Sequence, residues 1–86
     1  MLYGDKMRLD KYLKVARLIK RRTVANDACD GGRVSVNGKT ARASYDVKVG
    51  DKVLISFAGR SVEVEVLSVC ETVKKEEVSR MYRVIS

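Results

Sequence analysis

Eighty-six residues make one small domain with a thin core, and the apolar fraction of 45% argues against disorder even though 34% of the residues are charged. The formal net charge is +7 and there is no histidine, so no side chain titrates near neutrality unless its environment shifts it. Two cysteines fall short of the about four ligands of a structural zinc site, no P-loop, dinucleotide fingerprint or G-x-S-x-G elbow is present, and no apolar run nears the roughly 20 residues of a membrane span. These absences predict a soluble, cytoplasmic protein that is no enzyme, holds no cofactor or metal and makes no membrane contact.

Residues 1–7 read as an N-terminal extension with a frayed end, and Met7 is a second candidate start. From Arg8 to Ile19 the apolar residues Leu9, Tyr12, Leu13, Ala16 and Ile19 recur at i, i+3, i+4 and i+7, which predicts a helix with an apolar stripe about 120° wide. Lys11, Lys14, Arg17 and Arg21 fall on the opposite side, with Asp10 placed one turn before Lys14 to temper them. Tyr12 lies on the stripe and is therefore expected in the core. Lys20, Arg21 and Arg22 break the pattern and are read as a basic corner before a second, short helix. Thr23 is the candidate cap of that helix, and Val24, Ala25, Ala28 and Cys29 form its small apolar face. Gly31 and Gly32 end it, one of them in the left-handed conformation.

Val34 and Val36 then alternate with polar neighbours, and Asn37-Gly38 is a strong hairpin signal because both residues tolerate positive φ. Ser44 to Gly50 reads as a connection. Residues 53–57 read as a buried strand and 62–66 as a half-exposed one, whose outward Glu63 and Glu65 make that face a poor partner for phosphate. Residues 70–86 are expected to form a short C-terminal helix or tail. The fold class is α+β, with two packed helices followed by a small antiparallel sheet in one domain over residues 8–69. Cys29 and Cys70 are expected as free thiols.

Charge is concentrated in one segment. Ten cations and only three acids lie between Arg8 and Arg42, a balance of +7 that equals the net charge of the whole chain. A polyanionic partner is the natural inference. With no aromatic residue in that segment besides Tyr12, stacking on single strands is disfavoured. The candidate RNA-binding residues are Arg8, Lys11, Lys14, Arg17, Lys20, Arg21, Arg22, Arg33 and Lys39. Charge and periodicity leave an alternative open: a duplex-DNA-binding protein using the same cations through counterion release.

The order of these features resembles the S4-type RNA-binding domain. Its pattern stands here as Arg8-Leu9-Asp10-Lys11-Tyr12-Leu13, the corner Lys20-Arg21-Arg22, Ala25 through Gly32-Arg33-Val34-Ser35-Val36-Asn37-Gly38, and Val47-Lys48-Val49-Gly50-Asp51. The run MRLDKYLKVARLIKRRTVA and the ending KKEEVSRMY are most similar to the stand-alone ribosome quality-control branch of that family. The resemblance implies binding, as a monomer when free, to an obstructed 50S subunit through 23S rRNA and P-site peptidyl-tRNA. It further implies a partner elongation factor that adds untemplated C-terminal alanines, and it points to Arg8 and Arg22 as contact residues. The heat-shock S4 protein of stalled 50S subunits is a second relative, one that carries a longer basic extension.

Overall fold

A computed structural model describes residues 6–57, 59–69, 78 and 80–85, with Lys6 and Phe57 described by their backbone alone. The chain begins with strand β1 (Lys6–Arg8) and turns directly into helix α1 (Leu9–Val15). Helix α2 (Arg22–Asp30) follows, then β2 (Val34–Val36), β3 (Lys39–Thr40), β4 (Asp46–Lys48), β5 (Lys52–Phe57), β6 (Arg60–Val66) and β7 (Tyr82–Val84). Strands β1 and β4 form an antiparallel pair, and the other five make an antiparallel sheet in the order β3-β2-β5-β6-β7.

Helix α1 is shorter than its apolar spacing predicts. It stops at Val15 because Arg17 adopts a left-handed backbone, φ 61. The Arg17 N–H then donates to the Lys14 carbonyl (3.0 Å) and the Leu18 N–H to the Leu13 carbonyl (3.0 Å), the two crossed bonds of a Schellman ending. Ala16 and Ile19 remain buried beyond this break, so the stripe looks continuous in sequence although the helix is not. Helix α2 ends in the same way, with Gly32 at φ 81, Gly32 N–H donating to Cys29 O and Arg33 N–H to Ala28 O. At the start of α2 the expectation for Thr23 is corrected. Arg21 occupies the cap position without a side-chain bond, and Thr23 is already the second helical residue.

The first turn of α1 also lacks a side-chain cap; its Leu9 and Asp10 N–H groups donate instead to the carbonyls of Tyr45 (2.8 Å) and Ala43 (3.2 Å). Backbone from the loop after β3 thus satisfies donors that a helix start leaves open. Met7 of β1 lies opposite Val47 of β4, and both are buried. Hence Lys6–Arg8 is paired, not frayed, and the stretch read as a plain connection contains a strand; the remainder of the frayed-end expectation lies outside the described residues.

On the large sheet Val34, Val36, Val53, Ile55, Val64 and Val66 are buried and join Leu9, Tyr12, Leu13, Ala25 and Cys29 in a single core. The Asn37-Gly38 turn, with φ 54 and 86, links β2 to β3. Asn37 also reaches sideways. Its amide donates to Asp51 (3.1 Å), and its side-chain oxygen accepts the Lys52 N–H (2.9 Å). The other oxygen of Asp51 accepts the Lys48 N–H (3.1 Å). Asp51 is buried, so these bonds meet the need of its carboxylate for partners and tie the first hairpin to the turn before β5.

The expected C-terminal helix or tail is corrected over Tyr82–Val84, which is a strand on β6. Three residues with one alternation carry too little pattern to announce a strand, whereas the exposed edge of β6 supplies a ready pairing template. The expectation for residues 70–77 lies outside the described residues. Tyr12 secures this end of the chain by donating its hydroxyl to the Met81 carbonyl at 2.7 Å.

Arg17 sits where a glycine would be free of the Cβ clash. Arg17→Gly is expected to raise stability by up to about 1 kcal/mol in urea denaturation, whereas Arg17→Ala keeps the clash and gains nothing.

Candidate nucleic-acid interface

The lone acid among the seven cations of residues 8–22 proves to be their organising point. Asp10 is 2% exposed. Its Oδ1 accepts the Lys11 backbone N–H (2.7 Å) and Arg8 Nε (3.2 Å), and its Oδ2 accepts Arg8 Nη2 (3.3 Å), Asn26 Nδ2 (3.3 Å) and Arg22 Nε (3.4 Å). Burial alone would raise the pKa of this carboxyl, but the bonds from Arg8, Asn26, Arg22 and Lys11 outweigh it and hold the group below the ordinary aspartate value. It is ionised at neutral pH. The side chains of Arg8 and Arg22 each remain 48% exposed. Two guanidinium groups from different elements, β1 and α2, are thereby held on one anion while both still face solvent.

The other predicted residues are distributed more widely. Lys14, Arg17 and Arg21 are exposed around the end of α1 and the corner, and Lys11 is half-buried. Lys20 and Arg33 stand on the rim of a groove of about 540 Å³ lined by Leu18, Ile19, Val24 and Ile55. Lys39 is exposed on β3, at the edge of the sheet. The structure therefore joins Arg8 to Arg22 through the Asp10 carboxylate and Lys20 to Arg33 by a common groove. Lys11 meets that carboxylate through its backbone N–H, while Lys14, Arg17, Arg21 and Lys39 belong to neither grouping.

Helical spacing sets Asp10 against Lys14 and assigns Asn26 no role. The available signal was the isolation of Asp10 among cations; its partners Arg22 and Asn26 lie 12 and 16 residues away and cannot be inferred from helical spacing. On the opposite sheet edge Arg83 pairs with Glu65, which leaves that region mixed in charge.

Among the described residues no group of three His, Cys, Asp or Glu side chains is placed to hold a metal ion, and no helix is long and apolar enough to cross a membrane. Cys29 is a free thiol on the buried face of α2. Burial, followed by the charges of Asp10 and Asp30, pushes its pKa up to about 12, so it has no thiolate for nucleophilic chemistry at neutral pH.

This combination of two short helices on an antiparallel sheet, with a basic helical corner, defines an S4-type module. The S4 domain profile matches residues 7–53, and the chain belongs to the S4 domain family. Within it, the chain is 55% identical over 78 residues to the RQC P-site tRNA stabilizing factor of Halalkalibacterium halodurans, an alignment spanning 91% of this chain and 89% of the relative. The protein of the same name from Bacillus subtilis is 52% identical over 92% of each chain. The trimeric structure of Vibrio cholerae heat shock protein 15 superposes with a TM-score of 0.85 at 27% identity, covering 94% of this chain and 83% of that one.

Cys29 is expected to resist alkylation by iodoacetamide at pH 8 in the folded protein and to react promptly once urea unfolds it. Peptide mass spectrometry reads the difference; rapid labelling under native conditions would contradict the burial described.

Proposed function

We propose that this protein is a non-catalytic RNA-binding factor of ribosome quality control. In this reading it binds obstructed 50S subunits through 23S rRNA and peptidyl-tRNA and steadies the tRNA in the P site. A partner elongation factor meanwhile adds untemplated alanines to the stalled chain. The observation that carries the reading is the pair of exposed guanidiniums, Arg8 and Arg22, held on one buried carboxylate. The names of relatives at 55% and 52% identity support the pathway.

The physics suits such a target. Folded RNA hides its base edges in a deep, narrow major groove, so proteins read phosphates, 2′-OH groups and shape. Arginine forks fit phosphate bidentately. Lys11, Lys14, Arg17, Lys20, Arg21, Arg33 and Lys39 would add counterion release around that centre. Engaging rRNA and tRNA together would raise affinity through linkage, without a larger protein surface.

The test is a sucrose gradient of a tagged protein from growing cells, with sequencing of the RNA that co-purifies. Co-migration with 50S particles and tRNA is expected. Arg8→Ala or Arg22→Ala should weaken the association about tenfold or more, from the ~1.5–3 kcal/mol of a charge-assisted contact. The fold should survive each substitution at a cost of about 1–3 kcal/mol, because the buried Asp10 carboxylate loses a donor. Migration with 30S particles or DNA would sink the function and leave the fold. Glu63→Ala and Glu65→Ala should leave binding near normal, and a large loss would put the interface on the wrong face.

A further inference from the structure

Resting on that RNA-binding reading, we propose that Asp10 is a positioning residue that sets specificity: it fixes Arg8 and Arg22 for a structured RNA target at the expense of general affinity for polyanions. Asp10 is too buried to meet RNA itself, and its negative charge repels phosphate. Judged by charge alone it is a liability, since it halves the net charge of the Arg8–Asp10–Arg22 cluster. Its geometry supplies what charge does not. Arg8 is gripped at two nitrogens, Nε and Nη2, by both oxygens of the carboxylate, which fixes the plane of its guanidinium. Arg22 is gripped at Nε, the nitrogen nearest its backbone, so its two terminal nitrogens lie beyond the contact. Asn26, one turn after Arg22 on α2, donates to the same oxygen that Arg22 uses. The Lys11 N–H fixes the other oxygen from α1.

The carboxylate therefore has one orientation, and both arginines inherit it. A free arginine pays rotamer entropy when it binds; one held in place before binding pays less. The gain is confined to a target whose phosphates match the preset spacing. A flexible or uniform polyanion gains nothing from it, and is attracted less because of the extra negative charge.

The charge and positioning views predict opposite signs for one substitution. Asp10→Asn removes a negative charge, which by counterion release should tighten every RNA complex. It also places an amide N–H₂ among donors that need an acceptor, which releases the arginines. We expect Asp10→Asn to bind purified 50S subunits carrying peptidyl-tRNA at least fivefold more weakly than the wild type, and to bind a plain RNA duplex equally well or more tightly. In an Arg8→Ala/Arg22→Ala background the same substitution should no longer weaken 50S binding, which a general structural defect would still do. A measurement on the unaltered protein keeps the proposal testable even if Asp10→Asn folds poorly. The Nε–H protons of Arg8 and Arg22 should exchange with solvent more slowly, by NMR, than those of exposed Arg17 and Arg21. Equal exchange rates, or an Asp10→Asn protein that binds the 50S complex as tightly as the wild type or more so, would overturn the proposal. Failure of the wild-type protein itself to bind that complex would instead overturn the RNA-binding reading beneath it.

Discussion

A carboxylate with almost no exposed surface must find its hydrogen bonds inside the protein or lose its charge, and for Asp10 every partner comes from the basic segment. That requirement draws together β1, the start of α1 and the first two turns of α2. Arg8 supplies two nitrogens, Lys11 a backbone N–H, and Arg22 and Asn26 one nitrogen each. Because Asp10 remains ionised, the attraction persists across the physiological pH range. The crowding of positive charge that would otherwise push the two helices apart is relieved at its centre.

The remainder of the fold holds this centre in place. Carbonyls of Ala43 and Tyr45 receive the first N–H groups of α1, and Asp30 at the end of α2 accepts the Ala43 N–H through its side chain. The loop after β3 therefore links the start of one helix to the end of the other. Met7 against Val47 secures β1. Asn37 and Asp51 lock the first hairpin to β5, and Tyr12 fastens α1 to the chain before β7. Several residues of the recurrent sequence pattern thus have structural duties. Asn37, Gly38, Gly50 and Asp51 shape turns, whereas Arg8 and Arg22 face solvent.

Much of this architecture was legible in the sequence, because it depends on local signals. Apolar spacing gave both helices, the Gly31-Gly32 pair gave the end of α2, alternation gave β2 and β6, and a short apolar run gave β5. The apolar position of Tyr12 was read as core, and it is fully buried. What escaped depends on contacts between distant segments. The end of α1 at Val15 rests on a left-handed arginine that propensity disfavours, and β1, β4 and β7 are three-residue strands that exist because a partner edge awaits them. For the site, the cations were plain but their organisation was not. A periodicity argument sees Asp10 beside Lys14; only the packing of α1 on α2 brings it to Arg22 and Asn26.

In the proposed function RNA meets the helical corner of this molecule and not the mixed-charge face of its sheet. Ultraviolet cross-linking of the protein to 50S subunits carrying peptidyl-tRNA, followed by mass spectrometric mapping of the linked peptides, addresses it directly. RNA adducts are expected within residues 8–22 and 33–39. Adducts concentrated around Glu63 and Glu65, with none in the basic segment, would contradict that placement.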